Sequence, residues 1–244
     1  VEAGDLDARV TVDDGSEVGL LQSGFNRMAD GLRERERLRD LFGRQVGRDV
    51  ARAALRDPPR LGGEEREVGV LFVDLVGSTS MALAMPPTEL VRLLNLFFRV
   101  VVETVEERRG LVNKFEGDAA LCVFGAPVAS QDPAGEALAA ARELSARLRR
   151  EVPQVDFGIG VSAGRAVAGN VGAEQRFEYT VIGDPVNEAA RLSRLAREHS
   201  ERVVSSEAAL RRAGGDEHAA WSLGEPTVLA GRAARTGIAL PRTG

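Results

Sequence analysis

Beyond about Glu64 the apolar residues of this chain alternate between short continuous runs and helical spacing. "EVGVLFVD" is a run of apolar residues closed by an acid, the pattern of a buried strand. "PTELVRLLNLFFRVVVETVEERRG" repeats its apolar residues at intervals of three and four, which predicts a long amphipathic helix closed by Gly110. "LVNKF" and "DAALCVF" predict two strands joined tightly at Glu116-Gly117. "DPAGEALAAARELSARLRREV" predicts a second helix, capped by Asp132 with Pro133 in its first turn. "QVDFGIGVSAG" and "RAVAGNVG" read as two further strands, and "FEYTVIG" leads into the helix "DPVNEAARLSRLAREH". The order β-α-β-β-α-β is that of an α+β, ferredoxin-like sheet with helices on one face.

The first 60 or so residues follow a different rule. After a Gly/Asp-rich connector, Val18, Leu21, Phe25, Met28 and Leu32 recur at three- and four-residue steps, a coiled-coil stripe that Ser16 is placed to cap. The next apolar residues are Leu38, Leu41 and Phe42, so the stripe slips phase across the polar "RERER". "DLFGRQVGRDVARAAL" then forms a short coupling segment ended by Pro58 and Pro59. The expected division is residues 1–42, a coupling segment 43–63, and a domain 64–244.

Composition narrows the picture further. The chain has 244 residues, 43% of them hydrophobic and 28% charged, with a net charge of −5 and no basic patch interleaved with aromatics. A nucleic-acid partner is therefore not expected. Cys122 is the only cysteine, so no disulfide forms within the chain, as suits a reducing compartment. The richest apolar stretch is interrupted by Arg92, Asn95 and Arg99, so no membrane span is expected here. Lysine and arginine together number 32, and a single one of them, Lys114, is lysine.

Several residues could carry chemistry. Asp74 closes the first strand and Asp118 opens a later one; either could cap a turn, but carboxylates from adjacent strands also make a hard-oxygen site for Mg²⁺ with room left for phosphate. Asp184 reads equally as a helix cap ahead of Pro185. Asn187 and Arg191 lie four apart, on one helical face. Arg165 falls between two expected strands and could be a solvated turn residue.

Their order is more telling than any one of them. "FVDLVGST", "NKFEGDAAL", "GVSAGRAVAGNVG" and "YTVIGDPVNEAARL" together resemble the catalytic domain of class III nucleotidyl cyclases, over Glu67 to Pro241. "GDLDARV" and "SEVGLLQSGFNRMADGLRE" resemble the second half of a HAMP domain. This resemblance implies an adenylate cyclase that turns ATP into 3′,5′-cyclic AMP and pyrophosphate with two divalent ions, Mg²⁺ or Mn²⁺. Asp74 and Asp118 would hold the metals, Asn187 and Arg191 would orient ribose and stabilise the transition state, and Arg165 would meet the terminal phosphates, with Arg232 a second candidate there. Lys114 and Asp184 would read the base: an ammonium donates to adenine N1 and a carboxylate accepts from its amino group, whereas guanine presents the opposite pattern. The family also implies a head-to-tail homodimer with two shared sites. With Glu116-Gly117 as the hairpin loop, Lys114 and Asp118 would face opposite sides of the sheet, which agrees with such sharing. The HAMP resemblance implies transmembrane helices ahead of Val1 in a longer protein, and a place on the cytoplasmic face of the cell membrane.

Three rival readings compete with this one. A guanylate cyclase would need only a different base contact. A catalytically silent signalling module would keep the coil and lose the site, yet no catalytic residue is missing. A diguanylate cyclase would carry GGDEF in the central hairpin, whereas "GGEER" at Gly62 and "GGDEH" at Gly214 lie elsewhere.

Overall fold

The computed structural model describes residues 9–12, 17–56, 60–232 and 234–242. The chain divides into two compact units, Val1–Asp57 and Pro58–Gly244. In the first, helix α1 (Glu17–Val46) runs through "RERER" without a break and is followed by α2 (Arg48–Arg56). Gly47 separates them at φ 87°, a left-handed conformation that glycine adopts without a steric penalty. Beyond it, Ala51 of α2 and Gly43 of α1 are both buried, and a groove of about 400 Å³ lies between residues such as Asp40 and Leu55. Asn26 pins the connector by donating to the carbonyl of Val10 and accepting from its N–H, at 2.8 and 3.0 Å. Most of the expected stripe is left bare within the chain: Val18, Leu21 and Met28 are 61%, 75% and 68% exposed, while Phe25 is half-buried. Ser16 and the Pro58-Pro59 stop lie outside the described residues.

The second unit opens with β1 (Gly62–Val76), α3 (Ser78–Ala84), α4 (Pro87–Glu107), β2 (Leu111–Glu116) and β3 (Ala119–Phe124). It continues through α5 (Pro133–Glu151), β4 (Asp156–Ala173), β5 (Arg176–Ile182) and α6 (Asp184–Ala196). The last elements are β6 (Val203–Ser206), α7 (Glu207–Arg212), α8 (Gly215–Ala219), β7 (Trp221–Leu223), β8 (Thr227–Val228), β9 (Arg235–Thr236) and β10 (Ile238–Pro241). Seven strands lie in the order β2-β3-β1-β4-β6-β10-β7, and β5 adds to β4. The neighbours β2-β3-β1-β4 are antiparallel, as the ferredoxin-like expectation requires.

Strand alternation sorts the core onto two faces. Leu71, Val73, Leu75, Cys122, Phe124, Ile159 and Val161 face α4 and α5. Val68, Val70, Leu121, Val123, Ala166 and Ala168 face the other way and meet Ala189 of α6. The strands β1 and β3 are thus apolar on both sides, which is why they read as continuous runs. Asp132 caps α5 as expected, accepting from the Gly135 N–H at 2.8 Å.

Several expectations need correction. The first strand begins at Gly62, so "GGEER" lies inside β1. "QVDFGIGVSAG" and "RAVAGNVG" form one 18-residue strand, because β1 pairs with it along its whole length. Arg165 is therefore mid-strand, opposite Glu67. Helices occupy both faces, since α6 covers the side opposite α4 and α5. Arg109, not Gly110, takes the left-handed turn (φ 62°) after α4. The tail forms three short strands, of which β8 and β9 pair only with each other.

Helix α6 lies against β4 at backbone distance, because Gly158, Gly160 and Gly164 present no side chain to it. A Cβ at Gly160 would overlap the Ala189 carbonyl oxygen and the Ser193 nitrogen, both backbone atoms of α6. Gly160→Ala should therefore lower the unfolding free energy by roughly 1–3 kcal/mol in urea titrations. An unchanged midpoint would contradict this close approach.

Candidate functional site

The hairpin loop between β2 and β3 is Gly117-Asp118, since Glu116 pairs with Ala119. Gly117 takes φ 67° at the first loop position, where a side chain would be strained, and a register shift at Asn113 absorbs the offset. This corrects the expectation of a Glu116-Gly117 loop, and with it the argument that Lys114 and Asp118 face opposite sides of the sheet. Asp118 sits in the turn itself, and its carbonyl accepts from the Leu75 N–H at 3.4 Å. That contact draws the hairpin tip to the end of β1, beside Asp74. Burial pushes the Asp74 carboxyl above its ordinary range; Arg197 counters this, and the neighbouring Asp118 charge pushes it further up. The two acids are thus brought together, with the Arg197 guanidinium ion-paired to Asp74.

A second cluster surrounds the start of α6. Gly183 is the cap, and Asp184 is the first helical residue with no capping bond. Its carboxylate pairs instead with Arg232, which also binds Glu188 at 2.8 Å. Glu188 is only 7% exposed and accepts from the Ser162 hydroxyl at 2.6 Å. Asn187 is exposed, and Arg191 lies one turn further along, beside Gly231.

Lys114 stands apart from both acids. Its neighbour Phe115 stacks on Phe98 of α4, with ring centroids 4.4 Å apart, so Lys114 faces the α6 side of the sheet, as Asp74 does. Its ammonium meets Glu178 of β5 at 2.5 Å. The Asn113 side chain donates to the Tyr179 carbonyl at 2.8 Å and accepts from the Thr180 hydroxyl at 3.1 Å, docking β5 beside β2. Arg165 pairs with Glu65 at 2.5 Å on the α5 side of the sheet. Along β4 it lies about 23 Å from the position opposite Asp74, at roughly 3.3 Å per residue.

Helix α6 sets the distance between the first two clusters. Asp74 pairs with Gly158 in the sheet and with Arg197 just past the end of α6, whereas Asp184 begins that helix. Thirteen residues separate the ends, about 20 Å at roughly 1.5 Å per residue. One chain therefore holds Asp74 and Asp118 near one end of α6 and Asp184 at the other, with Asn187 and Arg191 along the helix between them.

Sequence reading missed Arg197, Glu178 and Glu188. Glu188 carried a signal: it shares the helical spacing of Leu192 and Ala196, the buried side of α6. Arg197 and Glu178 stand among many exposed charges, and nothing local distinguishes them. No helix among the described residues is long and apolar enough to cross a membrane.

Residues 63–232 match the family model described as adenylate and guanylate cyclase catalytic domain, and residues 1–34 match the HAMP domain model. The chain belongs to the adenylate and guanylate cyclase catalytic domain family. Over 231 residues, 95% of this chain, it is 59% identical to the uncharacterized protein Rv1320c of Mycobacterium tuberculosis. It spans 41% of that relative's length, less than half of it. Among solved structures it is similar to the guanylyl cyclase Cya2, with 28% identity and a TM-score of 0.64 over 73% of this chain and 93% of the other. The adenylyl cyclase CyaB from P. aeruginosa shares the fold at 21% identity and a TM-score of 0.65, over 75% and 97% of the two chains.

Arg232 is the counter-ion of a largely buried carboxylate, Glu188. Arg232→Ala should leave Glu188 charged and unpaired, lowering stability by roughly 1–3 kcal/mol, within the range for partly buried pairs. Arg232→Ala with Glu188→Gln should recover part of that loss in the same urea titration. Equal losses in the two variants would contradict the pairing.

Proposed function

We propose that this chain is the catalytic part of an adenylate cyclase, converting ATP to 3′,5′-cyclic AMP and pyrophosphate at two sites shared across a head-to-tail homodimer. The observation that carries this reading is the length of α6. It holds Asp184 further from Asp74 and Asp118 than a nucleotide reaches between its base edge and its α-phosphate. Both ends serve one substrate if the second chain supplies the missing half, and a two-fold axis then makes two equal sites.

Asp74 and Asp118 would hold two divalent ions, Mg²⁺ or Mn²⁺. Among the described residues no group of three or more acids, histidines or cysteines could hold a metal. Two carboxylates alone fit an ion that completes its coordination with water and phosphate. Such ions, when bound, acidify the ribose 3′-hydroxyl and neutralise the α-phosphate. The 3′-oxygen attacks the α-phosphorus, the bond to the bridging oxygen of the β-phosphate breaks, and pyrophosphate leaves while the hydroxyl proton passes to solvent. From the partner chain, Asn187 would orient the ribose and Arg191 would meet the charge growing on the α-phosphate. Lys114 would donate to adenine N1 and Asp184 would accept from its amino group. For this they must exchange their present partners, Glu178 and Arg232, for the base. The expected contact of Arg165 with the terminal phosphates is not supported within one chain, where it pairs with Glu65 on the sheet face opposite Asp74; Arg232 is already committed to Asp184 and Glu188.

GTP is the second reading, favoured by the 28% identity to the guanylyl cyclase Cya2. The lysine and carboxylate pair argues for ATP. The HAMP match supports regulation from the N-terminal segment in a longer protein held at the cytoplasmic face of the cell membrane. There the bare stripe on α1 would pair with a second copy, and the phase slip between Leu32 and Leu38 would let the coil adopt two windings.

Asp74→Ala and Asn187→Ala should each lower the rate of cyclic AMP formation about a hundred-fold or more. Mixed together, they should recover roughly a quarter of wild-type activity, since half of randomly mixed dimers pair one chain of each and keep one intact site. No recovery from dimers that demonstrably exchange chains would contradict shared sites.

A further inference from the structure

Arg197 is absent from the roles assigned above, yet it is the residue in contact with Asp74. It stands at the end of α6, and its Nη2 is bonded to Asp74 Oδ2. The contact is partly enclosed: the side chains of Asp74 and Arg197 are 18% and 34% exposed. Arg197 Nε is buried with no hydrogen-bond partner, so the guanidinium gives up hydration to reach the carboxylate.

The surroundings hold it there. Gly158 lies opposite Asp74, and a Cβ at Gly158 would stand 3.1 Å from Arg197 Cγ, so the missing side chain clears the path of the arm. The Arg197 carbonyl accepts from Arg202 Nη1. Arg202 takes a left-handed backbone conformation (φ 57°) and grips Asp156 through two bonds, at 2.8 and 3.0 Å. Both ends of the Arg197 residue are thereby fixed.

A carboxylate oxygen that accepts from a guanidinium has one fewer lone pair for a metal, and the adjacent positive charge repels a divalent ion. We propose that Arg197 is an internal cation of the metal site, which neutralises Asp74 while no metal is bound and must be displaced before a divalent ion can use it. Arg197 is thus a positioning residue that sets the metal concentration at which the site fills. The proposal rests on the reading of Asp74 and Asp118 as metal acids.

The test is binding of Mn²⁺ alone to the full chain, followed by the loss of its free-ion paramagnetic resonance signal, with no nucleotide and no turnover. If the open carboxylate is a minor population, Arg197→Gln should tighten Mn²⁺ binding about tenfold. The same substitution should lower the melting temperature without metal, because Asp74 and Asp118 then repel each other unscreened. Arg197→Gln with Asp74→Asn should lose the tightened binding. Should Arg197→Gln fail to fold, Arg197→Lys, with a smaller donor set, should show the tightening to a lesser degree. Equal or weaker Mn²⁺ binding in a folded variant would overturn the latch and leave the metal reading standing. No binding by any form at millimolar Mn²⁺ would defeat the metal reading and the latch with it.

Discussion

The geometry of this domain depends on the direct contact between helix α6 and strand β4. Gly158, Gly160 and Gly164 turn a bare backbone toward the helix, and Pro185, Ala189 and Ser193 lie against them. A large side chain at any of these positions would lift α6 from the sheet. With the helix seated, its two ends are fixed on the same strand pair that carries Asp74. One end delivers Asp184 and the other delivers Arg197. The separation of Asp184 from Asp74 is therefore a consequence of helix length and close packing.

Charge is balanced within the chain around these clusters. Lys114 meets Glu178, Asp184 and Glu188 share Arg232, Arg165 meets Glu65, and Asp74 meets Arg197. Most of these pairs are partly exposed, where an ion pair adds little to stability and exchanges readily. The Glu188 pair is the exception, since Glu188 is buried and also bound by Ser162. It anchors the 229–232 turn against α6 while Asp184 remains open to solvent.

Much of this was legible in the sequence, for identifiable reasons. The buried strands read as continuous apolar runs because both of their faces are covered. Asp132 announced the start of α5 through local capping chemistry, which needs no distant partner. The candidate acids, Asn187, Arg191 and the lone lysine stood out by their order. What failed depended on pairing across the sheet. A one-residue shift of the hairpin loop, made possible by the irregularity at Asn113, could not be read from "FEGD" alone. The continuity of β4 through Arg165 follows from its fifteen-residue partner β1, which no local pattern in "SAGRAVAG" reveals. Arg197 escaped notice because its role is defined by a carboxylate far away in the chain.

The most direct test of the account is product formation from ATP and from GTP, assayed separately with Mn²⁺ at several protein concentrations. Shared sites that read adenine predict cyclic AMP from ATP, with activity per chain rising as concentration drives dimer formation. Product from GTP alone would contradict the roles given to Lys114 and Asp184. Activity per chain that does not change with concentration, in a protein that is monomeric throughout, would contradict the shared site.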